Sequence, residues 1–295
     1  MLIFSLQKLL PGDAATALAG EEGDTAAVAA IRAKYNLDRP VAVQYGIWIG
    51  KVLRGDFGDS LRSRIPVGDL IASKLPVTVE LATCSMLIAL AIGVPAGVLS
   101  ATRRGRMLDV TANFLALSGL SVPHFWLGIM LILLFAVQLG WLPASGYVPL
   151  RDDWRRNLTT ILLPSIVLGT GVAGVMMRHA RSAMLQTLGA DYVRTARAKS
   201  VPERLVVLKH ALRNALIPVI TLGAIEFGRL LSGAVLTEQI FAIPGFGKLL
   251  VDSVFNRDYA VVQGVVLVSA ALYVLLNLLA DVLYFLVNPR LRSTA

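Results

Sequence analysis

The chain has 295 residues, of which 56% are hydrophobic and 16% are charged, and its mean hydropathy is +0.68. This composition excludes an ordinary soluble domain and indicates an integral membrane protein. The net charge is +9, and the basic residues lie beside apolar segments without interleaved aromatic residues. This pattern favours basic cytoplasmic loops over nucleic-acid binding. Cys84 is the only cysteine and the three histidines lack metal-ligand spacing, so we expect no internal disulfide and no metal site.

The N-terminal region is predicted to lie largely outside the membrane. Residues 1–10 are apolar but too short to cross a bilayer, which takes about 20 residues. They are either the remnant of a truncated first transmembrane helix or the start of a chain that begins outside. Residues 11–77 are nearly charge-balanced, and we expect a folded extracytoplasmic segment with one helix capped by Asp24, followed by a second apolar-periodic stretch, VAVQYGIWIGKVL.

Five later segments are apolar and long enough to span a bilayer, namely residues 78–101, 108–138, 160–177, 216–236 and 261–287. The loops 102–107 and 178–213 and the C-terminal tail are rich in arginine and lysine, which places them in the cytoplasm. The loops 139–159 and 237–260 are then outside. The sequence thus predicts an all-α, polytopic helical bundle in the cell membrane, with a cytoplasmic C-terminus.

Four ionisable residues fall within or beside these spans: Glu80, Glu226, Arg229 and Asp281. Charged groups at membrane depth are costly and normally face the bundle interior or water, so these residues are candidates for a translocation pathway. Glu226 and Arg229 are three residues apart and can pair on one helix face. Mutual neutralisation and the lining of a substrate path are equally compatible with that spacing.

Two glycine patterns resemble nucleotide-binding loops but lack their context. The GxGxxG match at 169–174 lies inside an apolar span, where small residues let helices pack closely, as Gly93 and Gly97 are also expected to do. Residues 46–52 are one residue short of a phosphate-binding loop. His124, which follows a proline, is interpreted as a packing residue at a kink. Because no catalytic constellation is present in the sequence, we expect no enzymatic activity and no cofactor bound by this chain.

The most basic part of the chain is the stretch 178–217, which holds eight lysines or arginines and two acids, a net charge of +6. Helical spacing places four of its residues on one stripe: Leu185, Leu188, Tyr192 and Ala196. Ser200-Val-Pro-Glu203 fits a capping box with proline in the first turn, so a second helix is expected there. The pattern predicts two helices with a bend at Lys199–Ser200, the first short enough to enter a groove on a partner.

The sequence of this stretch resembles that of a known protein family. DYVRTARAKS, followed by HALRNALIPV, is similar to the EAA loop of binding-protein-dependent ABC importer permeases of the peptide/nickel branch. Supporting motifs extend along almost the whole chain: LLPGD (Leu9–Asp13), DRPVAVQY, GDFGDSL, LPVTVELA (Leu75–Ala82), GWLPASGY (Gly140–Tyr147), TEQIFAIPGFGKLL (Thr237–Leu250), RDYAVVQG (Arg257–Gly264) and NPR (Asn288–Arg290).

The resemblance implies the fold of a type I ABC importer permease, with five complete spans plus the truncated first span. Its transmembrane domain would be residues 78–288, with a cytoplasmic EAA or coupling loop at 178–215 and a cytoplasmic tail at 289–295. The implied partners are a homologous second permease, two cytoplasmic ATPase subunits that bind ATP and Mg, an extracytoplasmic solute-binding protein and the lipid bilayer. Nucleic acid is not among them.

The same resemblance implies a coupling helix that docks on an ATPase, made of Ala190, Asp191, Tyr192, Arg194, Thr195, Ala196, Arg197, Lys199 and Ser200. Tyr192 is its expected anchor because aromatic side chains dominate many interfaces. The family usually has glycine where Ser200 stands and an acid where Asn288 stands. A left-handed backbone at Ser200 would cost about 1–2 kcal/mol. The capping box with Glu203 is the alternative, and it is the interpretation we favour.

The substrate expected from this branch is a peptide. Similar permeases carry nickel chelates, glutathione or oligosaccharides, and specificity would reside largely in a separate binding protein. A secondary transporter driven by an ion gradient is the main alternative from another class. Such proteins usually contain internal repeats, and the sequence shows no clear one.

Overall fold

The computed structural model describes residues 24–34 and 38–287, so the predicted helix remnant at 1–10 and the tail at 289–295 lie outside the described residues. Within the described ranges the chain is helical with no named β-strand, and one isolated bridge joins Asp59 to Pro66. The prediction of an all-α protein is confirmed.

The described residues form these α-helices in chain order: α1 (Thr25–Lys34), α2 (Val41–Val52), α3 (Val67–Thr102), α4 (Met107–Ser121), α5 (His124–Leu131), α6 (Trp154–Leu188), α7 (Asp191–Ala198), α8 (Glu203–Leu205), α9 (Leu212–Gly233), α10 (Val235–Ile240), α11 (Phe246–Phe255) and α12 (Tyr259–Val287). Two π-helical segments continue or join them: π1 (Ile132–Gln138) follows α5, and π2 (Val206–Ala211) connects α8 to α9. The helix predicted after Asp24 is present as α1, and the second apolar-periodic stretch forms α2.

Four helical runs of the described chain are long and apolar enough to cross a membrane: α3, α6, the run Glu203–Ser232 and α12. A fifth span results if α4 and the run from His124 to Gln138, which meet at 98°, are counted as one. The bend occurs where Pro123 forces its predecessor out of helical geometry, and Val122 is extended with φ −75° and ψ 123°. The kink expected at His124 is confirmed, as a sharp break rather than a gentle bend.

Helix α6 is the most deeply buried of the candidate spans. It begins after Asp153, whose side chain accepts hydrogen bonds from the backbone N–H groups of Arg155 and Arg156. This carboxylate satisfies two of the donors that the first helical turn leaves unpaired and interacts favourably with the positive end of the helix dipole. The sequence therefore defines the start of α6 locally, before any packing is considered.

The glycines of the GxGxxG match provide close helix packing. A Cβ atom at Gly171 would lie 2.4 Å from the imidazole of His124, and one at Gly174 would lie 2.6 Å from the carbonyl oxygen of Ala116. A Cβ atom at Gly169 would lie 2.9 Å from the backbone of α3. The glycines therefore hold α6 against α3, α4 and the start of α5. The interpretation of the pattern, and of His124, as packing is confirmed.

The described chain divides into two compact units. The first comprises its residues up to Pro76 together with 245–271. Its apolar core contains Val67, Ile71, Phe246, Val261 and Val265. Beside this core, the carboxylate of Asp258 accepts hydrogen bonds from the Ser60 hydroxyl at 2.5 Å and the Leu61 N–H at 3.2 Å. These bonds connect the turn before α3 to the start of α12.

The second unit comprises 77–244 and the described residues from Leu272 onward. Its main core packs α3, α6, α9 and α10 together, and its fully buried members include Leu81, Ile161, Met176, Phe241 and Ile243. A smaller cluster joins the last turn of α3 to α6, π2 and α9 through Ala101, Ala183, Met184, Ala211 and Ala215. This smaller cluster lies at the base of the candidate functional site.

Candidate functional site

The basic stretch folds as a short helix held between two long ones. α6 continues to Leu188, so residues 178–188 of the predicted loop are helical. The chain then leaves helical geometry at Ala190, with φ −74° and ψ 151°, and α7 begins at Asp191. Glycine at position 189 weakens the helix at this break. The predicted stripe from Leu185 to Ala196 is therefore wrong as one continuous helix face, although the short helix predicted in this stretch is present as α7.

Helix α7 is anchored to the chain by one apolar face. Val193 is fully buried and Ala196 is 7% exposed, and both pack with Val206 of π2 and with Val201. Leu185 and Leu188 belong instead to the separate cluster around Met184. Val193 was not identified from the sequence, although its i, i+3 spacing with Ala196 is the signal of a buried helix face.

The opposite face of α7 is exposed and charged. Seven of the nine predicted docking residues are exposed, namely Asp191, Tyr192, Arg194, Thr195, Arg197, Lys199 and Ser200. Ala190 is half-buried and Ala196 is buried, so Ala196 belongs to the internal packing of the loop. Tyr192 presents much of its ring to solvent while its hydroxyl oxygen accepts a hydrogen bond from Asn214 Nδ2 at 2.9 Å. A partner can therefore reach this face without disturbing the apolar contacts beneath it.

The bend after α7 contains a residue with a left-handed backbone conformation and is not a capping box. Ser200 has φ +59°, its N–H donates to Arg197 O at 2.9 Å, and the N–H of Val201 donates to Ala196 O at 3.2 Å. These two bonds and the apolar contact of Val201 define a Schellman motif, whose left-handed position usually holds glycine. The favoured prediction that Ser200 caps the next helix is wrong, because that helix has Pro202 at its N-cap position without a side-chain cap.

Glu203 has a different role from the one predicted. Its carboxylate accepts hydrogen bonds from Arg197 Nη2 at 2.7 Å and Arg197 Nε at 3.1 Å, which closes the bend across six residues. These hydrogen bonds raise the pKa of Arg197. Both side chains are partly exposed, so the pair contributes little to stability, on the order of 0–1 kcal/mol. Its geometry nevertheless fixes the direction in which the chain leaves α7.

Replacing Ser200 by glycine is expected to stabilise the loop by up to about 1 kcal/mol. The change removes a Cβ penalty of about 1–2 kcal/mol, and the greater backbone freedom of glycine in the unfolded chain offsets part of that gain. Amide hydrogen exchange over residues 191–206 measures the effect as slower exchange. Thr195→Gly, at a helical position of the same loop, is the control and should accelerate exchange. Faster exchange in S200G would contradict the strain assigned to Ser200.

Glu80, a predicted pathway residue, is part of a hydrogen-bonded network. It accepts hydrogen bonds from the Tyr147 hydroxyl at 2.6 Å and from Asn157 Nδ2 at 2.5 Å. Asn157 Nδ2 also donates to Val148 O at 2.9 Å. Burial, followed by the hydrogen bond to Glu80, raises the pKa of Tyr147. The network ties the loop before α6 to α3, which gives Glu80 a structural role.

Among the four predicted pathway residues, all within the described chain, the only direct contact joins Glu226 and Arg229. Arg229 Nη1 lies 3.0 Å from Glu226 Oε1, as the i, i+3 spacing predicted. The Glu226 side chain is 8% exposed whereas that of Arg229 is 68% exposed, so the arginine head points outward from the buried carboxylate. Asp281 is exposed on α12. The assignment of these residues to a pathway stays a prediction.

Three buried acids were not identified from the sequence: Asp258, described above, Glu238 and Asp109. Glu238, which the sequence placed in an outward loop, is fully buried in α10 and accepts a hydrogen bond from Thr78 Oγ1 at 2.6 Å. Asp109 is buried at the start of α4 and forms an ion pair with Arg181. The partners Thr78 of Glu238 and Arg181 of Asp109 lie 160 and 72 residues away in the sequence, so no local pattern signals these contacts. Within 24–34 and 38–287, no group of three or more His, Cys, Asp or Glu side chains is arranged to hold a metal ion.

Comparison with known proteins identifies the family. The model of the binding-protein-dependent transport system inner membrane component matches residues 93–293. The glutathione transport system permease protein GsiC of Salmonella choleraesuis (strain SC-B67) is 46% identical over 292 residues, 99% of this chain and 93% of that protein. Its counterpart in Escherichia coli (strain K12) is 44% identical over 292 residues, which are 99% of this chain and 93% of that protein.

Solved structures show the same fold. An inward-facing structure of the MetNI methionine ABC transporter matches with a TM-score of 0.61 and 20% identity over 74% of this chain and 96% of the matched chain. An amino acid ABC transporter crystallised with histidines matches with a TM-score of 0.54 and 16% identity over 75% and 94% of the two chains. The chain belongs to the binding-protein-dependent transport system inner membrane component family, and it is a multi-pass inner-membrane permease subunit of an ABC importer.

Proposed function

We propose that this permease imports small peptides, with glutathione as the first substrate to test. The observation that carries the proposal is the 46% identity to a glutathione transport system permease over nearly the full length of both chains. Glutathione is itself a tripeptide, so the proposal stays within the peptide class. Nickel chelates and oligosaccharides are the alternative cargoes.

The proposed assembly contains this chain, a homologous second permease, two cytoplasmic ATPase subunits and an extracytoplasmic solute-binding protein. ATP and Mg are bound by the ATPase subunits, and this chain has no catalytic role. Helix α7 supports the proposed docking because it exposes a charged face with Tyr192 while Val193 holds the other face to π2. A short amphipathic helix of this kind suits a groove on a partner. This arrangement requires α7 and the C-terminus to be cytoplasmic.

In the proposed mechanism, ATP binding draws the two ATPases together and moves the docked α7 helices of both permeases. The pathway then changes from inward-facing to outward-facing, and hydrolysis resets it. Moving a two-state equilibrium from 1:99 to 99:1 requires about 5.5 kcal/mol of differential binding. A loop that moved independently of the membrane helices would not transmit that energy. The Schellman motif at Ser200 and the Arg197–Glu203 pair support transmission because they fix the end of α7.

The experiment that tests the proposal is purification of the affinity-tagged chain with its native partners, followed by reconstitution in liposomes containing ATP. We expect two ATPase subunits to copurify and labelled glutathione to accumulate only when ATP, Mg and the binding protein are all present. A dipeptide, a nickel chelate and an oligosaccharide are compared in parallel. Uptake driven by an ion gradient without ATPases would contradict the assembly, and selective uptake of the oligosaccharide or the chelate would contradict the substrate class.

A further inference from the structure

A buried polar cluster lies where the C-terminal ends of α3 and α6 meet the start of α4. We call it the Asp109 cluster, and its members are Ser100, Gly105, Asp109, Asn113 and Arg181. Arg181 binds the Asp109 carboxylate at two points, with Nε 2.8 Å from Oδ1 and Nη2 3.0 Å from Oδ2. The Gly105 N–H donates to Oδ2 at 2.9 Å, and Asn113 Nδ2 donates to Oδ1 at 2.8 Å. The Ser100 hydroxyl also donates to Oδ1.

The charged groups of this cluster are largely removed from water, and they are paired with each other. The Asp109 side chain is 8% exposed, that of Arg181 is 26% exposed, and Ser100 is fully buried. A bidentate arginine–carboxylate pair fixes direction as well as distance, because the two planar groups match at two points. The neighbouring arginines at 103, 104 and 106 are exposed. Unlike these exposed arginines, Arg181 makes a buried contact.

The position of the cluster relates it to α7. Arg181 lies seven residues before the end of α6, which is about 10 Å along the helix axis. On the same stretch, a Cβ atom at Gly97 would lie 2.6 Å from the Met177 carbonyl oxygen and 3.0 Å from the Arg181 nitrogen, so the backbones of α3 and α6 are in close contact. The next turn, at Ala183 and Met184, packs against π2 and α9. The Asp109 cluster therefore connects the last turns of α6, which lead to α7, to α3 and α4.

We propose that Asp109 and Arg181 are positioning residues for energy coupling. Their ion pair makes α3 and α4 move with the C-terminal end of α6, so that a displacement of docked α7 also reaches α3 and α4. Coupling between distant sites is carried by hydrogen-bonded networks and stiff secondary elements. The proposal rests on the proposed docking of α7, and it adds the route by which the displacement enters the transmembrane helices.

A neutral pair distinguishes a positioning role from simple charge neutralisation. The single variants Asp109→Asn and Arg181→Gln each leave one uncompensated charge, which destabilises a folded protein. The double variant with both changes has no buried charge and retains polar side chains of similar size. If the pair only neutralises charge, the double variant should behave as the wild type. If the bidentate pair positions α3 and α4, the double variant should assemble but remain poorly coupled.

The measurement is the number of solute molecules imported per ATP hydrolysed in reconstituted transporter, together with copurification of the ATPases. We expect the double variant to copurify normally and hydrolyse ATP while its imported solute per ATP falls about tenfold, within the range typical of coupling energies. Arg104→Gln, which removes an exposed charge from the adjacent turn, is the matched control and should transport normally. A double variant with wild-type solute per ATP overturns the proposal.

Failure of the docking proposal gives a different result. If α7 does not dock on an ATPase, Tyr192→Asp retains copurification and coupling, whatever the Asp109 variants do. If α7 docks but the Asp109 cluster has no positioning role, Tyr192→Asp loses copurification while the double variant at 109 and 181 transports like the wild type. Loss of ATPase copurification in that double variant also contradicts the positioning role, because the proposal requires docking to survive.

Discussion

Replacing Val193 by aspartate is expected to abolish ATP-driven import. Val193 is fully buried between Ala196, Val201 and Val206, and an uncompensated carboxylate in this cluster costs about 3–5 kcal/mol. That cost exceeds the stability expected of such a small cluster, so α7 should separate from π2. Amide hydrogen exchange over 191–206 should accelerate strongly, and the ATPase activity of the assembled transporter should no longer respond to solute.

Tyr192→Asp is the matched variant on the exposed face of the same helix. It adds the same charge one residue away but leaves the packing of Val193 intact. Hydrogen exchange of the loop should therefore stay near wild type while binding of the ATPases weakens. Unchanged exchange in Val193→Asp would refute the internal packing of α7, and normal ATPase binding by Tyr192→Asp would refute docking through this face.

Replacing Gly97 by valine is expected to disrupt the packing of α3 on α6. The first added carbon would lie 2.6 Å from the Met177 carbonyl oxygen and 2.7 Å from the Ala180 Cβ, and neither neighbour is the far end of a flexible side chain. Overpacking typically costs about 1–3 kcal/mol, and more where backbone atoms must separate. Because small residues are what allow membrane helices to approach closely, we expect a lower yield of folded protein and a lower unfolding temperature in detergent.

Gly223→Val provides the control for this prediction. Gly223 lies in α9, and nothing is within 4 Å of the position a Cβ would take. The two variants share the same change of helix propensity, so their difference isolates the collision at Gly97. Equal unfolding temperatures for the two variants would contradict the close approach of α3 and α6.

The sequence was most informative where a property repeats over many residues. Apolar length and loop charge predicted the bundle and its candidate spans, and the GxGxxG letters could be assigned to packing because they lie inside an apolar run. The run of motifs identified the family. The short-range pattern was also sufficient to predict a short helix, observed at Asp191–Ala198, and a bend after it.

The sequence was least informative where a residue's role depends on a distant partner. Ser200 and Glu203 have the spacing of a capping box, yet Glu203 pairs with Arg197 and Ser200 occupies a left-handed position. Glu80 was identified only as a charge at membrane depth, because its partner Tyr147 lies 67 residues away. A separation of 72 residues likewise concealed the ion pair of Asp109 with Arg181. Helix periodicity carries no information about which neighbouring helix a polar side chain will meet.

The length of α6 has a consequence for where soluble partners can bind. Its 35 residues correspond to about 52 Å along the axis at 1.5 Å per residue. The hydrocarbon core of a bilayer is only about 30 Å thick, and about 40–45 Å with its headgroups. The helix therefore extends beyond the membrane surface even if it stands upright. Because α7 begins three residues after α6 ends, the docking proposed for α7 requires this surplus to lie at the C-terminal end of α6.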